Sequence, residues 1–168
     1  SNKTIVIIPK LNPDGFASNS RFNANNVDLN RNFASANWKT DVVVPGGSTL
    51  INGGGSAPLS EPESKAIIDY INASGPSLVM SYHSQGSIVI GNGSGNSLSL
   101  AAMYADHVGY QNISPEDSAG AFEHETTGAL EDWLHETPNI PVVLLELSSH
   151  TSSGLFSYHR QPMLNVIK

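Results

Sequence analysis

The chain has 168 residues, a net charge of -7 and only eight basic residues; this length suffices for one domain with a real core, read here as 1–168, and so few cations exclude a nucleic-acid footprint or a polybasic membrane patch. It contains no cysteine, which removes disulfides, thiolate zinc sites and a cysteine nucleophile, so any metal must be held by histidine and carboxylate. No apolar run approaches the ~20 residues of a membrane span and the N-terminus lacks the shape of a signal peptide, so the chain reads as soluble, cytoplasmic or periplasmic/secreted, with its oligomeric state unknown.

Residues 4–9, TIVIIP, form a short β-branched run ended by proline, the pattern of a buried strand. Asn-Pro-Asp-Gly at 12–15 then carries turn chemistry, proline presetting φ and glycine free to take positive φ. The turn leads into a polar stretch ending at Phe33 that holds two of the chain's three arginines, Arg21 and Arg31. A guanidinium fork binds carboxylates and oxyanions bidentately, so this stretch predicts a pocket for an anionic substrate. Its structural alternative is a solvated loop with two surface arginines.

Residues 34–59 read as a long irregular segment rich in glycine, serine and proline. Ser60-Glu61-Pro62-Glu63 reads as a helix start, with Ser60 as N-cap and Glu63 closing a capping box. That helix should run to about Ala73 and bury Ala66, Ile67, Tyr70 and Ile71. A second apolar run at 77–82 predicts a buried strand followed directly by His83, and 87–90 a further strand. The glycine cluster at 91–95 before a helix over 98–108 raises a dinucleotide fingerprint, but Asn96 replaces its final glycine and a loop is the better reading. Residues 127–136 predict a short helix capped by a threonine. Residues 140–147, IPVVLLEL, are the most hydrophobic run and place Glu146 near a strand end, where an acidic side chain needs a partner or a purpose. The last segment, 155–168, reads as helical in parts and broken at Pro162.

Alternation of buried strands and helices argues for an α/β fold, a mixed, largely parallel central sheet flanked by helices. Ligands of such sheets bind beyond the carboxyl ends of strands, and three predicted strands deliver polar groups there: the arginine stretch, His83 and Glu146. A neutral imidazole is a zinc ligand and a lone carboxylate can serve as general base. Arg21 for an oxyanion, and Asn30 with Arg31 for a substrate carboxylate, complete a set suited to metal-assisted hydrolysis of a peptide with a free C-terminal carboxylate. Singly, His83 also fits a core histidine and Glu146 an ion-pair partner of Arg21 or Arg31. A Ser-His-Asp hydrolase is disfavoured because no G-x-S-x-G elbow occurs. His124, His135, His150 and His159 read most simply as surface or loop residues.

Asn12-Pro-Asp-Gly15, Arg21, Val27-Asp-Leu-Asn-Arg-Asn-Phe33, Ser81-Tyr-His83-Ser and Leu145-Glu146-Leu, in this order, resemble the motifs of zinc carboxypeptidases of the carboxypeptidase A type. The spacing and the SEPE helix start are most similar to the bacterial branch that includes murein peptide amidases. The resemblance implies His83 as a zinc ligand and Glu146 as the base that activates the zinc-bound water. It also implies Arg21 at the scissile carbonyl, and Asn30 and Arg31 at the substrate's free carboxylate. Aligned on Asp132-Trp133 and Glu146, the floor of the specificity pocket corresponds to Glu131, which would favour a basic or amine-bearing side chain; a solvent-facing helix glutamate is the alternative. The family's mobile tyrosine falls near His124. The family's H-x-x-E motif, source of two further zinc ligands, does not occur in this sequence. The expectation is therefore one zinc ion with two ligands upstream of residue 1, a domain incomplete at its N-terminus, and a metal-poor, inactive chain when isolated. A deacylase of the aspartoacylase and succinylglutamate desuccinylase type, and a metal-free peptide-binding pseudo-enzyme, stand as alternatives.

Overall fold

The computed structural model describes residues 3–122, 124–151 and 154–166. Contacts divide the chain into two compact units, each assembled from separate stretches of sequence: residues 1–5, 77–121 and 139–168 form one, and 6–76 with 122–138 the other.

The first unit is built on a sheet. Strands β3 (Val79–Ser84), β4 (Ile88–Gly91), β5 (Gln111–Ile113) and β6 (Val142–Leu147) lie in the order β3-β6-β4-β5. β3 runs parallel to β6 and β4 parallel to β5, while β4 and β6 are antiparallel, so the sheet is mixed, as the sequence pattern predicts. β6 is an inner strand with neighbours on both sides, and its run Val142–Leu145 is apolar before Glu146. Its alternate residues Val143 and Leu145 join Val89, and Ala101, Tyr104 and Ala105 of helix α3 (Ser97–Val108), in one buried cluster. Val166 of helix α6 (Leu155–Val166) completes that cluster, and α6 packs against α3. A four-residue helix, α4 (Ser118–Ala121), lies beyond β5, and Pro162 lies inside α6 rather than ending it. The glycine cluster is the loop between β4 and α3, where Gly91 is so close to the backbone of Ser97 that a Cβ would meet its carbonyl oxygen at 2.5 Å. Packing therefore accounts for this glycine.

The second unit has little regular structure and a partly polar interior. Residues 12–15 do not form the predicted turn: Asn12 caps helix α1 (Pro13–Ser18), its side chain accepting from the Gly15 backbone N–H. Gly15 is required by crowding against Asn12 and the Ser20 carbonyl, not by positive φ. The segment read as irregular contains a small antiparallel hairpin, β1 (Val42–Val43) and β2 (Thr49–Leu50), turned by Gly46 and Gly47 at positive φ. Helix α2 (Pro62–Ser74) starts one residue later than predicted, with Glu61 and not Ser60 as N-cap. It buries Ser64, Ile67, Ile68 and Ile71, whereas Tyr70 and Ala66 are exposed. Helix α5 (Leu130–Glu136) starts after Ala129, so Thr127 is a buried loop residue and not its cap.

Residues 4–9 do not form the predicted strand. Ile5, Val6, Ile7 and Ile8 are all exposed, and no described strand pairs with them. β propensity alone does not make a strand, whose stabilising unit is the cross-strand pair. No helix among the described residues is long and apolar enough to cross a membrane.

Candidate active site

The parallel pairing of β3 with β6 sets His83 directly opposite Glu146. Side chains of register partners project to the same face of a sheet. Since Val143 and Leu145 take the helix-covered face, Glu146 and His83 share the other. Both are half-buried. Ser81, two residues earlier on the same face, places its Oγ 2.9 Å from His83 Nε2. Across the antiparallel pairing Ile88 stands opposite Glu146, and Gly86 leaves room for the Glu146 side chain, a Cβ there lying 3.0 Å from Glu146 Cβ. This is a candidate metal ligand and a candidate base on adjacent strands.

The second unit gathers Arg21, Asn30, Arg31, Glu131 and His124. Asp28 organises them: its Oδ2 accepts from Arg21 Nε at 2.6 Å, and its Oδ1 accepts from the Asn30 backbone N–H at 3.1 Å, capping the 3-10 turn Leu29–Arg31. Arg21 thereby pairs with Asp28 while 41% of its side chain stays exposed. Asn30 uses both ends of its amide, accepting from the Leu130 backbone N–H at 2.9 Å and donating to Glu131 Oε2 at 3.4 Å. Glu131 is buried, which removes the reading of a solvent-facing helix residue.

Arg31 is only 2% exposed. Its Nη1 donates to the Asn30 carbonyl at 2.6 Å and its Nη2 lies 3.3 Å from His124 Nε2, while Nε is buried with no partner among the described residues. Burial holds its pKa below the ordinary value; Asp28, Glu131 and Asp132 oppose that effect and Arg21 adds to it. A buried guanidinium with an unanswered N–H favours an anion. His124 is thus a half-buried loop residue in contact with Arg31. Asp132 is shifted up by burial and by the nearby carboxylates of Glu131 and Glu136, against a hydrogen bond from Asn37.

The sequence profile of the zinc carboxypeptidase family matches residues 1–162. The chain belongs to the zinc carboxypeptidase family. Within it, the chain is similar to murein peptide amidase A of Escherichia coli (strain K12), 40% identical over 79 residues that make up 44% of this chain and 33% of that protein. It is also similar to murein peptide amidase A of Vibrio campbellii, 30% identical over 96% of this chain and 64% of the relative. The crystal structure of a murein-tripeptide amidase from Escherichia coli O157 superposes with a TM-score of 0.74 at 27% identity, covering 94% of this chain and 65% of that one. The chain therefore spans between a third and about two thirds of the length of these relatives. The mixed sheet flanked by helices is the fold that the resemblance implies.

Zinc carboxypeptidases are zinc enzymes, and a catalytic zinc site takes three protein ligands. The described residues do not meet that requirement: no group of three or more histidine, aspartate or glutamate side chains able to hold a metal occurs among them. His83 and Glu146 supply two such side chains, on neighbouring strands.

Sequence reading passed over three residues of consequence. Asp28 lies inside the V-D-L-N-R-N motif, and its signal is an Asx cap two residues before Asn30. Glu61 is buried and accepts at 2.7 Å from each of Asn23, Asn25 and Ser60. His159 is buried between two tyrosines, which corrects its reading as a surface residue; only its place in the stripe His159, Pro162, Val166 signals burial.

Proposed function

We propose that this chain is part of a peptide hydrolase that cleaves the bond next to a free carboxylate, in the manner its zinc-carboxypeptidase membership suggests. The observation that carries this reading is the register pairing of His83 with Glu146 on one sheet face. Glu146 is the general base that takes a proton from the attacking water and returns it to the leaving amine. Arg21 stabilises the oxyanion of the tetrahedral intermediate, its guanidinium oriented by Asp28. Arg31 and Asn30 receive the substrate's carboxylate, His124 contributes beside Arg31, and Glu131 selects an amine-bearing side chain. Peptides of murein carry both features, and the amidase relatives support that substrate class. His83 is one protein ligand of the family's zinc, whose other ligands lie outside the described residues of this chain.

The deciding experiment compares Glu146→Gln with the parent in the complete protein, on a murein tripeptide and on an N-acyl amino acid. The reading expects turnover of the peptide alone, reduced by about 10²–10⁴ in the variant, the usual contribution of a positioned general base. Turnover of the N-acyl amino acid instead would favour the deacylase. A second reading, a metal-free peptide binder, is favoured by the incomplete ligand set among the described residues. It requires tight binding of a carboxylate-ended peptide without zinc and without turnover.

A further inference from the structure

Behind the sheet face that carries His83 and Glu146, on the face covered by α3 and α6, runs a chain of hydroxyl and imidazole groups. His159, 4% exposed, sits between two tyrosines: Tyr104 Oη lies 3.0 Å from its Nδ1 and Tyr110 Oη 3.3 Å from its Nε2. Tyr110 Oη also accepts from the Ser148 backbone N–H at 3.0 Å. At the other end, Tyr104 Oη lies 3.5 Å from Tyr82 Oη. Tyr82 immediately precedes His83 on β3, and Ser148 stands two residues beyond Glu146 at the end of β6. One buried imidazole thus connects the neighbours of both candidate site residues.

Without Tyr110, the last hydrogen bond that β6 makes to the sheet here is that of its Leu147 carbonyl, which accepts from the Gly86 N–H at 3.0 Å. Ser148 is exposed and follows the strand, and its N–H donates to the tyrosine hydroxyl instead of to a ladder carbonyl. That hydroxyl is in turn aimed by His159: a neutral imidazole offers one donor and one acceptor, so whichever tautomer is present it orders one tyrosine as donor and the other as acceptor. The ring packing agrees, Tyr110 meeting His159 edge-on with centroids 5.4 Å apart and Tyr104 meeting it tilted at 5.7 Å.

We infer that His159 and Tyr110 are positioning residues, a clamp that fixes the carboxyl end of β6 and hence the aim of Glu146. This rests on the reading of Glu146 as base, but the clamp itself is measurable without it. A base must be held within a few tenths of an ångström of its productive geometry, and side chains locked from behind supply that precision.

The test uses the complete zinc-loaded protein and two readouts, amide hydrogen exchange at residues 146–148 and steady-state kinetics on a murein tripeptide. Tyr110→Phe should speed exchange at Ser148 and lower kcat about tenfold with KM and zinc content unchanged. His159→Gln, whose amide reaches the Nε2 position and so meets Tyr110, should keep most of kcat. His159→Asn, which reaches only the Nδ1 position, should lose kcat as Tyr110→Phe does. A purely structural role predicts instead that the Gln and Asn variants fall together in thermal stability with unchanged kcat, and that result overturns the clamp. Unchanged protection at Ser148 in Tyr110→Phe overturns it as well, whatever Glu146 does. Full turnover by Glu146→Gln overturns the catalytic reading, and with it the service of the clamp to the reaction.

Discussion

Glu61 shows how a carboxylate becomes structural. Burial pushes its pKa up, yet hydrogen bonds from Asn23, Asn25 and Ser60 together outweigh that effect and hold it below the ordinary value. A group with a depressed folded pKa contributes stability above its unfolded pKa, and that contribution is lost as pH falls through the folded value. His159 is shifted down by burial, so folding favours its neutral form and loses stability as pH falls below about 6.5, the ordinary histidine value. Urea unfolding should therefore show two successive losses on acidification, that of His159 first and that of Glu61 at lower pH. His159→Gln should remove the first and Glu61→Gln the second. Glu61→Gln should also lower stability at neutral pH by about 2 kcal/mol, since a buried charged acceptor becomes neutral and an amide donor is turned toward the hydroxyl of Ser60, which donates to Glu61. A variant as stable as the parent at pH ~7 would show that the three donors find other acceptors.

At the scale of elements, β6 carries both the core and the chemistry. Its alternation sends Leu145, fully buried, into the cluster with Val89, Tyr104 and Val143, and Glu146 to the opposite face. Leu145→Ala should lower the unfolding free energy by about 3 kcal/mol by opening a cavity between sheet and helices. The loop between residues 127 and 129 acts by close approach. Gly128 has φ +66° and abuts the backbone carbonyl of Arg31, while its own carbonyl accepts from the Phe33 N–H at 2.9 Å. Gly128→Ala should cost about 2 kcal/mol and displace the turn that carries Asn30 and Arg31. A denaturation midpoint unchanged from the parent would contradict this. Neither effect is visible in local sequence: Gly128 reads as ordinary loop glycine, and the face that Leu145 takes depends on which helix covers the sheet.

For the molecule as a whole, the sheet-bearing unit holds His83 and Glu146, and the other holds Arg21, Asn30, Arg31, Glu131 and His124. Equilibrium dialysis of the 168-residue chain against zinc should give well under one equivalent bound, with His83→Ala abolishing what remains; stoichiometric zinc would show that the chain supplies a complete ligand set. The ordered motifs, read in one dimension, were enough to determine the family, and the alternation of strands and helices the mixed α/β fold, because the order and spacing of chemically specific residues are legible without any knowledge of contacts. Periodicity also located β3, β4, β6 and the long helices to within a few residues, since apolar runs of fixed period have few other solutions. Tertiary structure decided the rest. It left residues 4–9 without a strand partner, turned an expected loop into a hairpin, and buried Glu131 and His159, because burial and pairing depend on residues distant in sequence. It also paired Arg21 with Asp28, and it set His83 opposite Glu146 through a parallel register between strands about sixty residues apart in the chain. Each strand's own pattern fixes only which residues face the core; which residue stands opposite which depends on how the two strands pack together.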